Sequence, residues 1–209
     1  MIYRLAIPVL ITIFFSAHQI SLGQNLEGHW TFDSDFTDST SNGRDGSGAS
    51  GASVGSNITN AAGEFQVGSG ALTLDGSDEH VGITGYKGVT GTASRTISAW
   101  IKADAPNDDQ AIVSWGDNVN SNKWTIRIQD GNGPVDGALR LEVNGGFNVG
   151  TTDLDDGNWH HVAVTFSDDG TPNVQDTLLY VDGVLEAVST SQSHPINTPN
   201  SAHVRAGQH

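Results

Sequence analysis

The sequence predicts an all-β fold: a two-sheet antiparallel β-sandwich of jelly-roll type, preceded by an N-terminal signal peptide. One observation is a set of short runs that alternate between apolar and polar residues. In Arg95 to Ala103, for example, Ile97, Ala99 and Ile101 share one face. The other is the Asn-Gly and Asp-Gly pairs between these runs, which favour tight reversals between antiparallel strands. No mature segment shows a sustained helical period, so two packed sheets are expected.

Twelve runs are candidate strands. In chain order they are Gly28 to Asp33, Ala71 to Asp75, Glu79 to Ile83, Arg95 to Ala103, Ala111 to Trp115, Trp124 to Asp130, Ala138 to Asn144, Phe147 to Leu154, His160 to Ser167, Thr177 to Val181, Val184 to Thr190 and Ala202 to Ala206. Ser39 to Ser56 is almost entirely small or polar and predicts a long surface loop, with plain disorder as the alternative.

The N-terminus predicts export. Arg4 precedes an apolar run from Leu5 to Phe15, and Ser21 and Gly23 are small enough for the two specificity positions of a cleavage site. The run is short for a membrane span, although an uncleaved anchor is the alternative. We therefore divide the chain into a signal peptide, residues 1–23, and one secreted domain, residues 24–209, with no membrane insertion after cleavage.

The net charge and the absence of cysteines indicate which classes of binding partner and cofactor are compatible with the chain. The formal net charge is −15, which disfavours nucleic acid and acidic membranes because both repel a negative surface. There are no cysteines, so stability is expected to come from the core, with a bound metal as a further source. Calcium is the cofactor that crowded carboxylates favour.

Several motifs in register resemble a known family. Gly28 to Asp33, Gly70 to Gly76, Thr96 to Lys102, Asn158 to Phe166 and Leu179 to Gly183 are similar to a laminin-G-like jelly-roll domain of the concanavalin A-like lectin/glucanase superfamily. The resemblance implies a sandwich used mainly for binding, often of glycans, and often as one module of a longer secreted protein. It also implies a final strand with an acidic residue beyond Val204, so the chain is expected to lack its closing strand.

The resemblance also implies a calcium site after the first strand. Asp33, Asp38 and Asn42 match the positions carried over from the family, and they offer the oxygen ligands that calcium prefers. The alternative is a solvated acidic turn whose side chains accept hydrogen bonds from local backbone amides.

Aromatic residues are the candidate sugar contacts, because their faces stack on sugar rings. Trp115 and Trp124 are the predicted exposed ligand-binding residues, whereas Trp30, Trp100 and Trp159 are assigned to the core. His160 shares the parity of an apolar strand face, so it is expected to be mostly buried with a hydrogen-bond partner.

These observations predict a secreted, non-catalytic module that binds an extracellular polysaccharide or glycoconjugate, with calcium as its candidate cofactor. The alternative is a structural or adhesive module that binds a protein or cell-surface partner. A glycan-cleaving enzyme is the third possibility. It needs two carboxylates flanking the substrate, whereas the pairs Asp33 and Asp35, and Asp153 and Asp155, lie at strand ends or turns.

Overall fold

The structure is a computed structural model that describes residues 9–11, 26–54, 65–75, 77–104, 110–119, 121–129, 131 and 135–208. Within these ranges the chain forms sixteen strands and one short 3-10 helix, Val174–Asp176. The strands are β1 (Val9–Ile11), β2 (Gly28–Trp30), β3 (Ser47–Ala49), β4 (Ser53–Val54), β5 (Leu72–Thr73), β6 (His80–Ile83), β7 (Arg95–Asp104), β8 (Gln110–Gly116), β9 (Lys123–Ile128), β10 (Ala138–Glu142), β11 (Phe147–Asp153), β12 (Asp156–Phe166), β13 (Leu178–Val181), β14 (Val184–Leu185), β15 (Thr190–Gln192) and β16 (Val204–Ala206).

Two large antiparallel sheets form the predicted sandwich. The six-stranded sheet has the order β14-β13-β12-β7-β1-β2, and the eight-stranded sheet has the order β15-β11-β10-β9-β8-β16-β6-β3. A two-stranded sheet of β4 and β5 lies beside them. The fold class predicted from the alternating pattern is therefore confirmed.

The core lies between the two large sheets, because each strand turns its apolar alternate residues inward. Ile97 and Ile101 from β7 and Val164 from β12 enter it from the six-stranded sheet, while Ile126 and Leu141 enter it from the eight-stranded sheet. All five side chains are buried. At about 25 cal/mol for each Å² of apolar surface removed from water, this layer is the main favourable contribution to folding.

Two connections differ from the sequence-based prediction. The predicted loop from Ser39 to Ser56 contains β3 and β4, and β3 forms an edge of the eight-stranded sheet. Gly48 makes this possible, since a Cβ there would lie 2.6 Å from the ring of Phe36. The predicted strand from Val184 to Thr190 is instead two strands, β14 and β15, which belong to different sheets.

The predicted leader contributes a strand. Residues 1–23 lie outside the described part of the chain except for β1, which pairs with β2 through Val9 and Trp30 and with β7 through Val9 and Ala99. Signal cleavage stays a prediction, and it would remove the strand between β2 and β7. Among the described ranges, no helix has the length and apolar character required to cross a membrane.

Candidate functional site

Charged and polar side chains, together with the aromatic ring of Phe147, lie on the outward side of the eight-stranded sheet. We call this surface the polar face. Its members are Ser114, Lys123, Thr125, Arg127, Gln129, Arg140, Glu142, Phe147 and Arg205.

Strand alternation places these side chains outward. Along β9, Trp124 and Ile126 point into the core, so Lys123, Thr125 and Arg127 point to the opposite side. The same alternation sends the even-numbered residues of β10 outward while its leucines are buried. The apolar pattern that builds the sandwich therefore also builds the polar face.

Glu142 lies at the centre of a group of cations. One of its carboxylate oxygens is 3.3 Å from Lys123 Nζ, and the other is 3.3 Å from Arg127 Nη2 and 2.8 Å from Arg140 Nη2. These side chains are only 6 to 16 % exposed. Burial raises the pKa of the Glu142 carboxyl, but the three cations lower it by more, so the net pKa lies below its ordinary value.

Arg140 links the carboxylate to the neighbouring strands. Its Nη1 donates to Gln129 Oε1 at 2.9 Å, and its guanidinium lies 4.2 Å from the centre of the Phe147 ring. Among the residues that the structure describes, its Nε has no hydrogen-bond partner and is buried, and the same holds for the hydroxyl of Thr125, a residue with no exposed surface. Buried polar atoms without hydrogen-bond partners are uncommon in proteins. Each of these two atoms could form a hydrogen bond with a water molecule, and Arg140 Nε could also donate to a ligand atom.

The polar face is long as well as charged. Arg205, Ser114, Thr125 and Glu142 are register partners in one row across β16, β8, β9 and β10. Three strand spacings separate the ends of this row, which corresponds to about 14 Å. Arg205 is exposed, whereas the Glu142 end is recessed. Ser114 and Thr125, between the two ends, are buried, and Ser114 Oγ donates to the carbonyl oxygen of Gln208. An extended molecule that crosses the row would therefore contact its two ends.

The two tryptophans predicted to bind ligand are in the core, so that prediction is corrected. Trp115 is 3 % exposed and Trp124 has no exposed surface. Their rings stack with centroids 5.8 Å apart, and Trp115 Nε1 donates to the carbonyl oxygen of Val89. Neither ring can stack on a sugar, because the other side chains of the core cover it.

The tryptophans that reach solvent are two of those assigned to the core. Trp100 and Trp159 are partly exposed on the outward side of the six-stranded sheet, where His161 contacts the Trp100 ring at 5.3 Å between centroids. Trp30 is buried as predicted. The alternation of side chains along β7 would have shown this, because Trp100 lies between Ala99 and Ile101, which both point into the core. Trp100 must therefore point outward.

The three predicted calcium ligands have separate roles in the structure. Both carboxylate oxygens of Asp38 accept hydrogen bonds from backbone amides, among them those of His29 and Arg44. Asp33 accepts from the amides of the 69–70 turn, and Asn42 donates its side-chain amide to the carbonyls of residues 26 and 27.

This arrangement fits the alternative reading, in which the side chains order local backbone, better than a shared cation site. Within the described part of the chain, no group of three or more His, Asp or Glu residues has the geometry to hold a metal. Calcium binding itself stays a prediction.

Comparison with protein families identifies the fold family. The model described as the concanavalin A-like lectin/glucanases superfamily, of laminin-G type, matches residues 75–209, well over half of the chain. The chain belongs to this superfamily. No curated protein gives a match.

Membership in the concanavalin A-like superfamily makes the domain a binding module in general terms. The name of the superfamily covers lectins, which bind sugars, and glucanases, which cleave them. The matched range contains every strand that contributes to the polar face. The first of the resembling motifs, Gly28 to Asp33, lies before the match.

Carboxylates also meet at one end of this concanavalin A-like sandwich, around the turn at Gly137. A Cβ at this glycine, whose φ is +74°, would lie 2.6 Å from Asp153 Oδ1 and 2.9 Å from Asp155 Oδ1. Burial, a hydrogen bond from Asp153 and the neighbouring negative charges raise the pKa of Asp155 to about 6. Asp155 therefore takes up its proton near pH 6.

His160 joins the beginning of its own strand, β12, to the turn that follows β13, and this agrees with its predicted structural role. Its ring is 13 % exposed, with Nδ1 2.8 Å from Asp182 Oδ2 and Nε2 3.3 Å from Asp156 Oδ1. Burial lowers the pKa of the ring, but the two carboxylates raise it by more, and the net pKa lies above 6.5. The protonated ring is therefore favoured in the folded domain.

This pKa shift predicts a pH-dependent effect of His160→Gln. Because the pKa of His160 is higher in the folded domain than in the unfolded chain, its protonated ring increases the free energy of unfolding below about pH 6.5. This contribution is lost as the pH rises through the pKa of the folded domain. We expect His160→Gln to lower the free energy of unfolding by up to about 1 kcal/mol more near pH 5.5 than near pH 8.5. Urea unfolding at both pH values measures this difference.

His161→Gln is the matched control for this experiment. Burial lowers the pKa of His161, and the net shift is downward despite Asp182, so the native residue stabilises the fold less at low pH. Its substitution should therefore show the opposite pH trend. Equal costs for His160→Gln at both pH values would contradict the role of its carboxylate partners.

Proposed function

We propose that the domain is a secreted, non-catalytic module that binds an extracellular glycan on the polar face. The observation that carries this proposal is the recessed group of planar polar side chains centred on Glu142 and Arg140. Binding sites commonly combine a depression with a few convergent polar groups that fix the orientation of the ligand.

The chemistry of the polar face suits sugar hydroxyls. Guanidinium, amide and carboxylate groups each present two hydrogen-bonding atoms side by side, so they can bind neighbouring hydroxyls of one ring. The donors of Arg140 lie 2.9 Å from the Gln129 oxygen and 2.8 Å from a Glu142 oxygen. Arg140 and Glu142 are the members of this group that reach solvent, at 16 % exposed, because Gln129 is only 3 % exposed. The ring of Phe147 adds an aromatic contact beside them. The length of the row favours an oligosaccharide over a single sugar.

Catalysis is disfavoured by where the carboxylates lie. A glycosidase pair is separated by about 5 to 9 Å so that substrate or water fits between the groups. Asp153 and Asp155 both lie at the Gly137 turn, and Asp153 Oδ1 accepts a hydrogen bond from the backbone amide of Asp155 at 3.0 Å, so this carboxylate already orders the turn. Glu142 is surrounded by cations that keep its pKa low, which is unfavourable for a general acid. We therefore propose binding without cleavage.

A glycan array with purified domain tests this proposal, and Arg205→Ala is the informative variant. Arg205 is exposed at one end of the row, so its removal should leave folding intact while weakening glycan binding about threefold to tenfold, the range for one ordinary hydrogen bond at a solvent-exposed position. Lys102→Ala is the matched control, because Lys102 lies on the outward side of the opposite sheet.

Each array is run with calcium and with a chelator, which tests the predicted cofactor at the same time. Binding lost in chelator would support calcium assistance. Absence of glycan binding in both conditions would end the proposal, and equal loss in Arg205→Ala and Lys102→Ala would remove the polar face as its site.

One observation favours the second candidate function, adhesion to a protein. The edge strand β14 carries Val184 and Leu185, which are 66 and 54 % exposed, and Leu178 on the adjacent β13 is 45 % exposed. Apolar side chains at an open sheet edge are suited to contact with another protein. A negative glycan array would make this edge the leading candidate.

A further inference from the structure

We infer that the polar face selects acidic glycans, whose carboxylate or sulfate groups bind among its cations. The inference rests on the proposed glycan-binding function and names the class of its ligand. It depends on how a strongly acidic chain distributes its few positive charges.

Positive charge is concentrated on this one surface. The chain has 9 Lys and Arg residues against 24 Asp and Glu residues, yet four of the nine lie on the polar face. They are Lys123, Arg127, Arg140 and Arg205. An acidic protein that gathers cations on one sheet face creates a local potential opposite in sign to its overall charge.

The polar face has more positively charged side chains than its one carboxylate, that of Glu142, can neutralise, even when Arg127 is not counted. Lys123 and Arg140 share the single carboxylate of Glu142, and Arg205 forms no ion pair with any described residue. These four groups carry a net charge of about +2, which is three cations less one carboxylate. Lys123 and Arg140 are also recessed, so solvent screens their charges less than it would on an open surface.

Hydrogen-bonding capacity on the face points to a ligand in the same way. Arg140 Nε is a buried donor without a partner among the described residues, and it can only donate. The Thr125 hydroxyl, between Ser114 and Glu142 in the row, also lacks a partner there, but Thr125 has no exposed surface and is not a direct ligand contact. An anionic oxygen beside Arg140, whose side chain is 16 % exposed, would accept from its Nε and balance the excess charge. A neutral hydroxyl would supply only the hydrogen bond.

The row also sets where the acidic groups would bind. Arg205 lies at its exposed end, and Lys123 and Arg140 lie around its recessed end, about 14 Å away across three strand spacings. A polymer with repeated acidic groups can contact both ends at once. A single acidic monosaccharide cannot, so polymers and oligomers are expected to bind much more tightly.

The experiment compares matched pairs of polymers by titration calorimetry. One pair is oligogalacturonate and its methyl ester, which differ only in the ionised carboxylate. The other pair is dextran sulfate and dextran, which tests sulfate as the source of the anion. We expect the acidic member of at least one pair to bind about tenfold or more tightly at low salt, with the advantage decreasing as salt is added. The overall charge of −15 opposes non-specific binding of any polyanion.

Variants then show whether the polar face is responsible. Arg205→Ala should reduce affinity for the acidic polymer about fivefold and affinity for its neutral partner less than twofold. Arg205→Glu should reduce the acidic affinity further. Lys102→Ala removes the same charge from the opposite sheet and should leave both affinities unchanged.

The outcomes separate the inference from the proposed function. Equal affinity for the acidic and neutral members of both pairs would overturn acidic selectivity and leave glycan binding in place. An acidic preference that Arg205→Ala and Arg205→Glu do not change would overturn the polar face as its origin. Absence of binding to any glycan, on the array and in calorimetry, would overturn the proposed function and the inference together.

Discussion

Replacing Arg95 with Met is expected to lower the free energy of unfolding by about 3 to 5 kcal/mol, which is about 1 kcal/mol for each of the four acceptors that would lose a donor. Arg95 is 1 % exposed, and its guanidinium lies 4.7 Å from the centre of the Trp124 ring. Burial lowers its pKa to about 10, although Tyr86 and Asp168 oppose this shift, so it remains charged at neutral pH.

The cost arises from the acceptors that Arg95 satisfies. Its guanidinium donates to the carbonyl oxygens of Val89, Gly91 and Ala93 and to the hydroxyl of Thr198, at distances from 2.7 to 3.0 Å. Met fills a similar volume but donates nothing, so these acceptors would lose their partner. Because residues 89–93 immediately precede β7, their loss of order would spread to the centre of the six-stranded sheet.

Urea unfolding followed by tryptophan fluorescence measures this cost. Arg205→Met makes the same chemical change at an exposed position and should alter stability by less than about 0.5 kcal/mol. Arg95→Lys should recover only part of the loss, because an ammonium group cannot reproduce the fork geometry of a guanidinium. A cost below about 1 kcal/mol for Arg95→Met would show that the loop does not depend on it.

The fold could be predicted from sequence because its determinants are local. Alternation in β7 and β10 is set by neighbouring residues, and the turn at Asp182 and Gly183 adopts the positive φ angles, 50° and 80°, that this pair favours. The turn at Asn144 behaves in the same way, with a φ of 50°. Strand ends were less predictable, because they depend on pairing with distant partners.

The candidate site was less predictable than the fold, although the burial of Trp124 could have been predicted from the sequence. Trp124 has the parity of Ile126 and Ile128, so strict alternation would have placed it in the core. Trp115 is different, because the register of β8 shifts between Ala111 and Val113 and breaks the simple count along the strand. A bulge of this kind is fixed by pairing with β9, which the sequence of β8 alone does not reveal.

The polar face could not be recognised before the strand order was known. Lys123, Arg140 and Arg205 are far apart in the chain, and each looks like an ordinary solvent-facing charge in its own strand. Only the order β10-β9-β8-β16 brings them to one surface. Glu142 then distinguishes them from an ordinary charged surface, because several recessed cations share its carboxylate.

Deleting residues 1–23 is expected to destabilise the domain by on the order of 3 kcal/mol or more, comparable to loss of a large core side chain. The deletion removes β1, through which β2 joins the six-stranded sheet. Without it, Trp30, which is 1 % exposed, would lie on a strand with no sheet neighbour, and the edge of β7 near Ser98 would be open. Open edges pair readily with other chains, so self-association is also expected.

Hydrogen exchange distinguishes this local effect from general unfolding. Amides of β2 and of Ser98 and Ala99 should exchange faster after the deletion, whereas those joining β12 to β13 should stay protected. Deletion of residues 2–8, which keeps Val9–Ile11, is the matched control and should leave exchange unchanged. A domain of residues 24–209 that is monomeric and as stable as the full chain would show that β2 and β7 do not need β1, and would fit the predicted removal of the leader. A destabilised domain would mean that, once the leader is cleaved, another strand has to fill the same position between β2 and β7.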